Sequence, residues 1–154
     1  NKMGFIQEQN IFLNQIGQTQ NDIFEFLAKK TVDLTIADNQ KEVLEKLIER
    51  ENEGTTGMMD GFAIPHAKAS AIHHPAAIIL KLKEKVVWQS LDGQPIQFII
   101  ALFVPDTQAD DAHLKLLSTV ARLLMRDDIR ASLKEASSAD EIAKLLNNQI
   151  DEVA

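Results

Sequence analysis

Helical spacing of apolar positions governs both ends of the chain, and short apolar runs fill its middle. Near the start, Asn10-Ile11-Phe12-Leu13 reads as a short edge strand. Asn21 or Asp22 then caps a helix through about Lys29, whose apolar residues are Ile23, Phe24, Phe26 and Leu27. Asn39 followed by Glu42 fits a capping box. Val43, Leu44, Leu47 and Ile48 continue it as one buried helical face that stops near Arg50-Glu51-Asn52.

The middle reads differently. Phe62, Ala63 and Ile64 form a short buried strand, which Pro65 ends because it has no N–H to donate. Ala76 to Leu82 is a second strand, and Val86 to Ser90 a short third one that holds Trp88. Asp92-Gly93 is a turn signal. Ile96 to Val104 is nearly continuous in apolar residues, which predicts a central strand covered on both faces, closed by Pro105. Asp110 and Asp111 cap a long helix through about Met125, with Leu114, Leu117, Val120, Ala121 and Leu124 toward the core. Asp127 or Asp128 starts a shorter helix through Leu133. Ser138 and Glu141 make a last capping box before Ile142, Leu145 and Leu146. Helices at both ends with strands between imply an α/β domain of two or three layers around a mixed β-sheet flanked by α-helices. No repeat, linker or low-complexity segment interrupts 1–154, so one domain is expected, with its core at about 11–146.

Composition narrows the function. At 154 residues, with 45% hydrophobic and 25% charged positions, the chain can bury a sizeable core. Its net charge of −7 speaks against a nucleic-acid binder and suits a basic protein partner. There is no cysteine, which excludes disulfides, thiolate metal sites and a Cys nucleophile within this chain. No apolar run approaches a membrane span and no signal peptide is visible, so a cytoplasmic protein without membrane insertion is expected. Asn1 and Lys2 ahead of Met3 read as residues added before the natural start.

Candidate chemistry gathers around His66, which the strand-and-proline pattern places at a strand's end. The preceding Glu53-Gly54-Thr55-Thr56-Gly57 reads as a mobile turn, rich in hydroxyls and N–H groups, able to cradle an anion. His113 falls in the first turn of the long helix. There the dipole disfavours an imidazolium and favours an incoming anion. If the two rings meet, one neutral imidazole can attack phosphorus while the other bonds a phosphate oxygen. Arg50, at a helix C-terminus, can fork onto a phosphate. His73 and His74 precede Pro75 in a polar loop and read as solvated. No ligand spacing supports a metal.

Taken together, Arg50-Glu51, Thr56-Gly57, Gly61-Phe62-Ala63-Ile64-Pro65-His66-Ala67-Lys68, Trp88-x-Ser90-Leu91-Asp92-Gly93-x-Pro95 and His113-Leu114-x-x-Leu117 resemble one family. It is the fructose/mannitol-type enzyme IIA domain of the bacterial phosphoenolpyruvate-dependent sugar phosphotransferase system. Lys68 and the Trp88 to Pro95 segment resemble fructose-type members more than mannitol-type ones. The resemblance implies a mixed sheet flanked by helices and a phosphotransferase role without cofactor or metal. By the same resemblance, His66 accepts a phosphoryl group from HPr or a homologous phosphocarrier and passes it to a cysteine of an enzyme IIB partner. His113 is then the second active-site histidine, Arg50 the basic residue near the phosphate, and Thr56 a loop hydroxyl that contacts it. Phe62, Met58 and Met59 are candidates for the docking surface. Members of the same superfamily also serve in a nitrogen-related branch or within transcriptional regulators, so a regulatory enzyme IIA is the alternative. Met59 and Asp60 depart from the family's common glycine and asparagine, and a carboxylate turned toward the phosphate would repel it.

Overall fold

Two adjacent strands with opposite directions form the centre of the molecule. The structure is a computed structural model, and it describes residues 4–107 and 110–153, the side chains at 110–112 and 151–153 excepted. Five strands form one sheet: β1 (Ile11–Gln15), β2 (Phe62–Ala63), β3 (His66–Ala69), β4 (Ala76–Val86) and β5 (Ile96–Pro105). Their order is β1-β4-β5-β2, with β3 also on β5. The β4–β5 pair is antiparallel, and β1, β2 and β3 join it in parallel, so the sheet is mixed.

The helices are α1 (Gln20–Asp33), α2 (Gln40–Glu53), α3 (Asp110–Leu124), α4 (Asp127–Glu135) and α5 (Ala139–Val153). They cover both faces, which settles the layer count at three. On one face, Ile78, Leu80, Leu82, Ile99, Ala101 and Phe103 pack with Phe24, Leu27, Val43 and Leu47 of α1 and α2. On the other, Ile79, Phe98, Ile100 and Leu102 pack with Val120, Leu124, Leu133 and Ile142 of α3, α4 and α5. The alternation along β4 and β5 follows from the two-residue period of a strand, and both sets are apolar because both faces are covered.

Several expectations need correction. Thr19, not Asn21 or Asp22, is the N-cap of α1. Its hydroxyl accepts from Asp22 N at 3.1 Å while Asp22 Oδ2 accepts from Thr19 N, a complete capping box whose cap lies two or three residues earlier than expected. Asn39 caps α2 as expected, but the Glu42 carboxylate reaches away to Ala71 N (2.8 Å) and Ser70 Oγ (2.9 Å), tying α2 to the end of β3. The third strand expected at Val86 to Ser90 does not form. Val86 closes an eleven-residue β4, and Ser90 makes only an isolated bridge to Gly57. Leu114 is 58% exposed instead of facing the core. α4 starts at Asp127 as expected, with Arg126 as its N-cap, and runs on to Glu135. The side chains of Asp110 and Asp111, expected to cap α3, and the first three residues lie outside what is described. No helix among the described residues is long and apolar enough to cross a membrane.

Candidate active site at the start of β3

Pro65 does not end the strand; it interrupts it. β2 and β3 both run parallel along β5, with Phe62 opposite Phe98 and His66 opposite Leu102. Between them Pro65 keeps its carbonyl in the ladder by accepting from Leu102 N at 3.0 Å. An edge position tolerates the missing N–H. His66 is therefore the first residue of a strand, on the rim of the sheet. Ala67 packs into the α1–α2 core, so strand alternation turns His66 the other way, toward α3. There its ring meets His113, with centroids 5.7 Å apart and planes at 49°.

Arg50 arrives from the last turn of α2. Its Nε donates to His66 Nε2 at 3.0 Å and its Nη1 to Gly54 O at 2.8 Å. On the other side of the ring, His66 Nδ1 lies 2.9 Å from Ile64 O. A carbonyl only accepts, so Nδ1 carries the proton; a guanidinium only donates, so Nε2 holds the lone pair. His66 is 6% exposed. Burial pushes its pKa below the usual imidazole value. The Ile64 carbonyl opposes that shift, Arg50 and His113 add to it, and Glu51 opposes it. The result is a neutral imidazole with a defined tautomer and a basic nitrogen beside a guanidinium. A depression of about 430 Å³ lies over it, lined by Lys46, Arg50, Lys68, His113, Leu114 and Leu117 among others.

The structure thus brings His66, His113 and Arg50 together. Thr56 departs from the expected phosphate-facing hydroxyl: it is buried, and its Oγ1 donates to Glu51 Oε1 at 2.5 Å while its N–H donates to Glu51 Oε2 at 3.0 Å. Trp88 Nε1 donates to the same Oε2 at 3.1 Å. The sequence gives Glu51 no role beyond its place in the Arg50-Glu51 motif. One signal pointed to it: a carboxylate in the last turn of a helix works against the dipole and needs donors from elsewhere. The loop is pressed against the Gln89–Ser90 backbone, where a Cβ on Gly57 would meet Gln89 O at 2.3 Å, so the glycine is required for close approach.

Asp60 does not burden the site. It adopts a left-handed conformation (φ 61°), which aspartate tolerates, and its carboxylate is bound by Arg130 Nε at 3.1 Å and by Lys134, both on α4. Phe62 is fully buried and is withdrawn from the docking surface; Met58 packs partly against the α3–α5 core. His73 and His74 are exposed in the loop after β3, and His73 Nε2 lies 3.7 Å from Asp38. Among the described residues no three His, Asp or Glu side chains converge as metal ligands.

A mixed sheet between two layers of helices is the fold of phosphotransferase enzyme IIA components. The chain belongs to the family described as "Phosphoenolpyruvate-dependent sugar phosphotransferase system, EIIA 2", whose model matches residues 4–149. It is 33% identical over 141 residues to a "PTS system fructose-specific EIIA component" of Haloferax volcanii, covering 92% of this chain and 91% of that protein. It is also 36% identical over 104 residues to a "Nitrogen regulatory protein" of Pseudomonas aeruginosa, covering 68% of this chain and 67% of the other. Against a fructose-specific EIIABC component of Bacillus subtilis the identity is 35%, and the match spans only 23% of that longer protein. The crystal structure of a nitrogen regulatory protein IIA-Ntr from Neisseria meningitidis superposes with a TM-score of 0.85 at 29% identity, covering 92% of this chain and 96% of that one.

Proposed function

We propose that the chain is a phosphocarrier: His66 Nε2 accepts a phosphoryl group from a phosphohistidine of HPr or a homologue and hands it to a cysteine of an enzyme IIB partner. The observation that carries this reading is the bonding of the ring. With Nδ1–H committed to Ile64 O, the lone pair sits on Nε2, under the depression and beside Arg50. In the transfer, the donor's P–N bond breaks as the bond from phosphorus to Nε2 forms. The donor nitrogen regains its lone pair, and the Nδ1 proton stays in place. The charge that develops on the His66 ring is stabilised by the Ile64 carbonyl. Arg50 Nε, displaced from Nε2 by phosphorus, takes a phosphoryl oxygen, and His113 bonds another. Such a transfer needs in-line positioning and charge stabilisation more than covalent machinery. The acceptor cysteine belongs to a partner, because this chain contains none. In this reading the chain acts as one enzyme IIA domain on the cytoplasmic side of the membrane.

Intact mass after incubation with phosphoenolpyruvate, enzyme I and HPr tests the reading. A gain of one phosphoryl group that is absent in His66→Ala is expected; no gain with folded protein and active HPr contradicts it. A second reading, in which the phosphorylation state controls a regulatory partner, is favoured by the nitrogen regulatory relatives. Transfer onward to an enzyme IIB cysteine separates the two, since a regulatory protein retains its phosphoryl group under those conditions.

A further inference from the structure

The hydrogen bonds around the candidate nucleophile close into a ring that starts and ends on consecutive residues of α2. Glu51 binds Thr56 through its backbone N–H (3.0 Å) and hydroxyl (2.5 Å). Thr56 O accepts from Ile64 N at 3.0 Å. Ile64 O receives His66 Nδ1–H at 2.9 Å. His66 Nε2 accepts from Arg50 Nε at 3.0 Å, and Arg50 also holds Gly54 O, returning the loop to α2. From this closure we propose that Glu51 is a positioning residue, which sets the tautomer of His66 through Thr56 and Ile64 and so determines which nitrogen is nucleophilic.

Three features support it. Glu51 sits in the last turn of a helix, against the dipole, so its place there is explained by the donors it gathers. Those donors come from Thr56 and Trp88, each 4% exposed, and charge-assisted bonds of this kind are the stronger class. Without Glu51 the Thr56 N–H and the indole N–H would lose their partner in a buried setting, and the loop would shift to satisfy them. Thr56 O would move with it, and the Ile64 carbonyl would no longer be fixed against Nδ1. The inference rests on His66 being the phosphorylated residue only for its effect on rate; its effect on the ring stands by itself.

Trp88 is the one tryptophan, and there is no tyrosine, so emission reports directly on the Glu51 contact. The experiment compares wild type, Glu51→Ala and Thr56→Val by long-range ¹H–¹⁵N correlation of the His66 ring, Trp88 emission and the rate of phosphoryl acceptance from phospho-HPr. Wild type is expected to show the single Nδ1–H tautomer. Glu51→Ala is expected to give a mixture of tautomers in a folded protein, a shifted Trp88 emission and a turnover lowered by up to roughly 10²-fold, with the KM for phospho-HPr little changed. Glu51→Gln, whose amide oxygen still accepts from Thr56 N and Trp88 Nε1, is expected to restore much of the rate. Thr56→Val keeps the test open should Glu51→Ala fail to fold: its His66 shifts should move in the same direction by less. A wild-type Nε2–H tautomer overturns the proposal, as do His66 ring shifts unchanged in a folded Glu51→Ala or, in its place, in Thr56→Val. If wild type takes up no phosphoryl group, the ring spectra still decide the role of Glu51, and it is the phosphocarrier reading that fails.

Discussion

The centre of the sheet and its β2–Pro65–β3 rim are built on different principles. β4 and β5 are held by apolar alternation on two covered faces, and any side chain of suitable size and shape serves there. The rim is held by named donors and acceptors: Arg50 on His66, His66 on Ile64, Ile64 on Thr56, and Thr56 on Glu51. A defect at the centre lowers stability in proportion to the volume lost. If His66 is the phosphoryl acceptor, as proposed, a defect at the rim misdirects one nitrogen while most of the fold persists, and stability and function separate by position.

The largest separation is expected from His66→Ala, which should abolish phosphoryl incorporation while the urea midpoint shifts little; intact mass and urea unfolding read the two effects side by side. The converse comes from the centre. Leu80→Ala or Ile99→Ala, each at a fully buried position, should cost about 2–5 kcal/mol in urea unfolding. The phosphorylation rate per folded molecule should stay at the wild-type level. Gly57→Ala lies between these extremes. The added methyl meets the Gln89 carbonyl, so a loss of roughly 1–3 kcal/mol is expected together with slowed phosphoryl acceptance, because the displaced loop carries Thr56.

The smallest effect is with pH. His66 has a depressed pKa in the folded state, mainly from burial, so the unfolded chain binds more protons between that value and about 6.5. Its contribution to stability is complete above about pH 6.5 and is lost as pH falls through the folded value. His66→Ala should flatten that part of the stability profile. Phosphoryl acceptance in wild type should persist below the pH at which an ordinary histidine would be protonated, as stopped-flow transfer rates across that range will show.

Apolar periodicity made the centre legible. β5, the α2 face and the final helix follow from spacing alone, because burial on a given face imposes a period of two or of 3.6. Other features depend on contacts distant in sequence. The Val86 to Ser90 run has strand-like residues, yet among the described residues Ser90 forms no more than an isolated bridge, to Gly57, and Trp88 turns its indole to Glu51. Thr19 as the true cap of α1 was legible in principle, since Thr19 followed by Asp22 has the spacing of a reciprocal pair. At the site, the Pro65-His66 pattern and the resemblance drew attention to His66, His113 and Arg50. The inward turn of Thr56 and the outward turn of Asp60 onto Arg130 and Lys134 depend on which partners α2 and α4 present. No local pattern encodes those pairings.

The most direct test of the central claim is the position of the phosphoryl group on the histidine ring. The protein, labelled with ¹⁵N at histidine, is phosphorylated by phosphoenolpyruvate, enzyme I and HPr, and its ring nitrogens are assigned by long-range ¹H–¹⁵N correlation. A phosphoryl group on Nε2 of His66, with Nδ1 still protonated, is the predicted result. A phosphoryl group on Nδ1 of His66, or on His113, would contradict the account.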